Sequence, residues 1–384
     1  MKRNIIFILT IFMVITAFSA INALSPWNRE VNPALIAWSA RNNIELGGTL
    51  NLGIVQDANL SFEEAMDLNL VGNISGLYDL EEANILGRKQ ILDLYSKLKL
   101  GALVVAPELN ITNKDFIDYN KFLENSLWVT GGVYFGLKGK DFSFGATVKS
   151  HVPVFDVRCD SESEKFIVVS AFKGRIHELP YDYSLLFDDM KIFEDIEDLS
   201  DKLMNNGIIT MDIGFVAGKN YPAIGFGLKD ITISQGSDIY KYDTNFVYGE
   251  MDTEYVEFTN FEIGSLTNEE PFKSMPPWKM TFFLTLPIIF DFVPFIEYAP
   301  DTEDTVWGVS AGKALFWGLL PVWAEIRNYS YDGGNINFWR FDGGLGVNVF
   351  FGELNISVQS EAPDTDKLFD GVNTGLNINF AVGF

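Results

Sequence analysis

The sequence predicts an all-β protein, a transmembrane antiparallel β-barrel of about 14 strands within a range of roughly 12–16, with two short helical insertions. Three observations predict it. Apolar and polar residues alternate along many segments, the last being Leu376–Phe384. The chain opens with the layout of an export signal. A composition that is 47% apolar, with 33 Phe, coexists with a formal charge of −24. A barrel reconciles these features, because its strands turn apolar side chains to lipid while its loops can be as acidic as solubility allows.

At the N-terminus, Lys2 and Arg3 precede the apolar run Ile5–Phe18, broken only by Thr10 and Thr16, and Ile21-Asn22-Ala23 offers a cleavage site. Residues 1–23 therefore read as a signal peptide. The alternative, an uncleaved anchor, would need an apolar core of ~20 residues. Export agrees with the single cysteine, Cys159, which excludes an intramolecular disulfide. The acidic balance excludes nucleic acid as an expected partner, since phosphate binding needs clustered Lys and Arg. Residues 24–43 form an N-terminal segment and possible plug, and 44–384 the barrel.

Side chains on a strand point to opposite faces with period two. Ile44, Leu46, Leu50, Leu52 and Ile54 share one face, and Glu45, Gly47, Thr49, Asn51 and Gly53 the other. Leu127, Val129, Val133, Phe135 and Leu137 oppose Trp128, Thr130, Gly132, Tyr134 and Gly136. After a Gly139-Lys140 turn, Phe142, Phe144, Ala146 and Val148 oppose Ser143, Gly145, Thr147 and Lys149. Similar hairpins run from Ile209 to Leu228 around Gly218-Lys219-Asn220 and from Leu345 to Val358 around Gly352-Glu353. Weaker strands are expected at 98–106, 166–174, 244–258, 279–289, 291–299, 305–314, 318–330 and 335–342.

Glycines on the polar faces leave room in a lumen. Pro287, Pro294 and Pro321 should fall at bulges, kinks or strand ends, because a closed barrel has no edge strand to hide them. Trp128, Trp278, Trp307, Trp317, Trp323 and Trp339 lie near expected strand ends, where interfacial girdles form. Thr281–Ala299 is a further long apolar run, but Asp291, Glu297, Pro287 and Pro294 argue against a spanning helix. Two amphipathic stretches, Glu81–Leu98 and Leu185–Leu203, read as helices packed on a rim or in the lumen, or as a plug or gate.

Under the alternation rule Glu45, Thr49, Asn51, Thr130, Tyr134, Lys149, Asp212, Glu325, Arg327, Asn348, Asn355, Gln359, Asn377 and Asn379 face the lumen. Such a lining either passes a solute or hydrogen-bonds across a filled interior. No enzyme is expected. The two histidines, His151 and His177, stand without a Gly-x-Ser-x-Gly elbow or a His-Glu-x-x-His helix, and no cofactor motif appears. Asp301, Glu303 and Asp304, and Asp364 and Asp366, lack the spaced ligand pattern of a calcium loop and read as solvated acidic loops.

The C-terminal Leu376-Asn377-Ile378-Asn379-Phe380-Ala381-Val382-Gly383-Phe384 resembles the signal read by the barrel-assembly machinery, through Leu376, Ile378, Phe380, Val382 and the terminal Phe384. That resemblance implies the bacterial outer membrane, its lipid and this machinery as surroundings. Asn32-Pro33-Ala34, before the first strand, resembles the Asn-Pro-Ala segment of FadL-type transporters of hydrophobic compounds, which implies a 14-stranded barrel with an N-terminal plug. The stretch 55–125, with its expected helix, departs from that pattern. The expected function is a channel or transporter for a small-molecule solute, hydrophobic or polar. The alternative is a surface structural or adhesive protein with acidic loops.

Overall fold

The computed structural model describes residues 31–38, 43–55, 85–118, 122–160, 165–170, 207–218, 223–234, 240–246, 258–265, 277–287, 290–331, 334, 336–349, 351–362, 364–368 and 373–383. The expected signal peptide, the helix expected at 185–203, His177 and Phe384 lie outside these residues. Among the described residues one short α-helix, α1 (Leu35–Trp38), precedes seventeen strands. They are β1 (Ile44–Val55), β2 (Ile85–Leu100), β3 (Leu103–Asp118), β4 (Phe122–Lys138), β5 (Phe142–Asp160), β6 (Lys165–Ser170), β7 (Ile208–Ala217), β8 (Ala223–Ser234) and β9 (Tyr240–Phe246). There follow β10 (Phe258–Ser265), β11 (Lys279–Pro287), β12 (Asp291–Ala299), β13 (Asp304–Leu315), β14 (Leu320–Tyr331), β15 (Ile336–Val349), β16 (Gly352–Ala362) and β17 (Asn373–Gly383).

Fourteen of these strands close an antiparallel barrel. The seam is made by β1, which pairs with both β2 and β17. The wall then runs β2-β3-β4-β5-β7-β8-β11-β12-β13-β14-β15-β16-β17. The other three strands extend the sheet beyond the barrel. β5 pairs with β7 from Phe142 to His151 and with β6 from Asp156 to Asp160, and β6 continues through β9 to β10. One rim carries only short connections, such as Gly101-Ala102 and 139–141, and the start of β1. The other carries all the long connections and this extension, beside short links at 119–121, 300–303 and 332–335. Short turns at one end and long loops at the other are the usual asymmetry of membrane barrels.

The outer face is apolar. Leu46, Leu92, Leu94, Phe135, Phe144, Phe215, Phe226, Phe282, Ile296, Leu345, Ile356 and Phe380 are exposed there, while their strand neighbours point inward. Phe290, Phe316 and Phe351 ring the short-turn rim. Near the other rim Trp307 and Trp339 meet edge to face, 5.3 Å between centroids. Aromatic girdles at both ends match the two membrane interfaces. Trp323 differs from the expected girdle, because it points inward and is buried.

The helix expected over Glu81–Leu98 is instead β2. Ile91, Leu94, Tyr95 and Leu98 have helical spacing, while Leu92, Leu94 and Leu98 alternate as on a strand. Ladders to β1 and β3 decide for the strand, with the leucines outside and Asp93 and Lys97 buried inside. The strand expected at 98–106 is a hairpin, turned by Gly101 at φ +65°. The strands expected at 335–342 and from Leu345 onward are one, β15, and β16 already begins at Gly352. Pro287 ends β11 and Pro321 is the second residue of β14. Pro294 lies inside β12, where the ladder to β11 skips from Phe283–Phe295 to Leu286–Phe292. The skipped pairs are those a missing N–H would weaken.

Candidate functional site

Residues 31–38 lie against the inside of the wall near the short-turn rim. Asn32 and Pro33 start a helical turn for local reasons. The Asn32 side chain accepts the Ala34 N–H at 2.9 Å and its carbonyl accepts the Leu35 N–H at 3.0 Å, while Pro33 supplies a preset φ at the first position. The segment is then held from the wall. Asn32 Nδ2 donates to the carbonyls of Phe226 at 2.9 Å and Phe215 at 3.4 Å. Ser143 donates to the Ala34 carbonyl at 2.7 Å, and Thr281 to that of Val31 at 2.9 Å. Asn32, Ala34 and Ala37 are fully buried.

The seat is a row of glycines. Gly136 on β4 pairs with Gly145 on β5, Gly145 with Gly214 on β7, and Gly214 with Gly227 on β8. The row crosses three strand spacings, about 14 Å. The segment runs along it. A Cβ on Gly136 would stand 2.7 Å from Ala37, one on Gly145 would overlap Pro33 and Ala34, and one on Gly214 would stand 2.8 Å from Pro33 and 3.0 Å from the Ala34 nitrogen. Six other inward glycines are covered differently, each by a large side chain paired with it. Tyr95 lies over Gly47, Phe283 over Gly225, Phe295 over Gly308, Trp323 over Gly344, Asn355 over Gly346 and Gln359 over Gly375. Beside the segment, Leu35 packs into a cluster with Val216, Ala223, Phe283, Val293 and Phe295, and Ile36 with Val104, Ala106 and Tyr134.

Further from that rim the lumen carries buried charges in pairs. Lys149 lies 2.6 Å from Asp212 and 3.4 Å from Asp230. Glu297 lies 3.3 Å from Lys229 and 3.2 Å from Lys279. Arg327 pairs with Glu325 and stands over the Phe295 ring, 5.4 Å from its centroid. His151 bonds Thr130 through Nδ1 and Thr210 through Nε2, both at 2.9 Å. Asn51, Gln359 and Asn377 join one network.

Of the residues expected in the lumen, Asn51, Tyr134, Asp212, Glu325, Asn348, Asn355, Gln359, Asn377 and Asn379 are buried, and Glu45, Thr49, Thr130, Lys149 and Arg327 are half-buried. Asp230 escaped sequence reading, yet left a signal. The outward residues of β8 are even-numbered at Ile224 and Phe226 and odd at Ile233, so a residue is inserted between. It sits where Asp212 faces Lys229 and Asp230. Asp230 takes φ +54° and donates its N–H to Asp212 at 2.8 Å. Among the described residues no group of three or more His, Cys, Asp or Glu is placed to hold a metal ion.

No family model matches the chain, and no curated protein matches it. Solved structures do. The toluene transporter TbuX of Ralstonia pickettii aligns with a TM-score of 0.53 at 8% identity, over 94% of each chain. The toluene transporter TodX of Pseudomonas putida aligns at 0.49 and 8% identity, again over 94% of each. The translocator domain of the autotransporter NalP from Neisseria meningitidis aligns at 0.33 and 7% identity, over 89% of this chain and 88% of that one. At such identity the TbuX likeness establishes a shared barrel fold, in keeping with the FadL-type resemblance of Asn32-Pro33-Ala34.

Proposed function

We propose that this chain is an outer-membrane transporter of small molecules whose lumen is gated near the short-turn rim by residues 31–38. The docking of Asn32–Ala37 along the four-glycine row carries the reading. A strand glycine is costly, and four paired in a row are justified by what lies on them. Apolar compounds are the first candidate cargo. Support comes from the apolar cluster beside the segment and from the fold shared with TbuX, a toluene transporter. The chain acts as a conduit and not as a catalyst, with lipid and the barrel-assembly machinery as its standing partners. Reconstitution into planar bilayers and uptake of apolar compounds by cells carrying the gene test this. A folded barrel with neither conductance nor uptake would overturn it. The extension β6-β9-β10 favours a second reading, a surface that engages an external partner. Protease cleavage there on intact cells, with binding lost and uptake kept, would support it.

A further inference from the structure

Going round fourteen strands, β16 stands opposite β7, so the wall of β15, β16, β17 and β1 faces the docked segment across the lumen. Its charged inward residues are already partnered, Glu45 with Lys97 and Arg340 with Glu361, and between them runs a set of carboxamides. Asn355 pairs with Asn379, Ser357 with Asn377, and Asn377 with Asn51. All four asparagines are buried.

The network among them uses up donors. Asn377 Nδ2 donates to Asp342 at 3.0 Å and lies 3.3 Å from both Ser357 Oγ and Gln359 Oε1, and Asn355 Nδ2 donates to Glu353. Acceptors are left over. The side-chain oxygens of Asn355, Asn377 and Asn379 have no hydrogen-bond partner, and neither polar atom of Asn348 has one. These side chains are 4–7% exposed. Trp323 borders the same patch, since the position of a Cβ on Gly344 is 2.5 Å from both the Trp323 ring and Ser357 Cβ.

A buried carbonyl without a donor is costly, so this face is complementary to a molecule that brings several donors and no charge. An indole beside it suits the C–H faces of a ring or chain bearing them. We propose that the amide face of β15–β17 and β1 binds a neutral, hydroxyl-rich solute of the sugar or polyol class. The proposal rests on the lumen being a solute pathway, and it names a cargo chemistry distinct from the apolar cluster across the lumen.

The test is calorimetric titration of glucose, and of mannitol as an open-chain polyol, into the full chain folded in detergent micelles. Retained heat-modifiable migration on gels verifies the fold of each variant. Saturable binding is expected, weakened about tenfold by Asn355→Leu and by Asn379→Leu, as for one lost hydrogen bond each. Asn379→Ser serves where the leucine variant does not fold, and Trp323→Phe should abolish the change in tryptophan emission while leaving the heat. Absence of saturable glucose binding, or binding unchanged by these substitutions, would overturn the site. A barrel that conducts but binds no glucose loses the site alone. One that binds glucose but neither conducts nor takes up solute loses the transport reading alone.

Discussion

The side-chain amide of Asn32 donates to the backbone carbonyl of Phe226, 194 positions along the chain, at 2.9 Å. Its second contact, the carbonyl of Phe215, belongs to the residue paired with Phe226 on the neighbouring strand. One carboxamide thus bridges β7 and β8 from inside. Asn32→Asp exchanges this donor for an anion facing two carbonyls. The segment should leave its seat, and single-channel conductance should rise several-fold with the barrel still folded. The loss is on the order of 1–3 kcal/mol for the contacts of one buried polar group.

Gly145→Val tests the seat from the wall side. The valine would occupy the space of Pro33 and Ala34, so the segment must be expelled. Gly352→Ala is the control, because a Cβ there meets its first atom only at 3.4 Å. Conductance should rise and trypsin should reach the N-terminal segment in the first variant and in neither respect in the second.

Lys149 compensates Asp212 and Asp230 in a buried setting. Lys149→Met leaves both carboxylates without their ammonium partner, which should destabilise the barrel by roughly 3–5 kcal/mol. Adding Asp212→Asn should restore part of that loss, although the single Asp212→Asn change is itself destabilising. Urea unfolding in lipid vesicles, read as a double-mutant cycle, gives the coupling.

Phe380 is 44% exposed on the outer face of the closing strand β17. Phe380→Arg, a charge placed on the lipid side between midplane and rim, should cost on the order of 1–3 kcal/mol, and Phe380→Leu close to nothing. Insertion yields and urea midpoints in vesicles distinguish the two.

The barrel was legible because alternation is local: the hairpin of β4 and β5 can be read from Leu127 to Lys149 without knowing any other strand. β2 is ambiguous because Ile91, Leu94, Tyr95 and Leu98 fit a helical period while Leu92, Leu94 and Leu98 fit a strand, and only its neighbours decide between them. The site was less legible for a related reason. Gly136, Gly145, Gly214 and Gly227 each look like an ordinary inward glycine. Only the pairing register sets them in line, and register is a property of strand pairs that a single segment does not encode. Ion-pair partners such as Glu297 for Lys229 come from different strands and are hidden in the same way.

The glycine row also has a bearing on how the chain is built. Asn32 is made early, but its seat is completed only when strands as late as β11 are in place, since Thr281 holds Val31. A slip of β7 by two residues would preserve the inward and outward faces, yet set Asp212 or Val216 where Gly214 belongs. Alternation cannot detect such an error, whereas the N-terminal segment can, because it fits only the correct alignment. The docked segment therefore depends on the register of β4 to β8 in a way that the two-faced pattern of the strands does not.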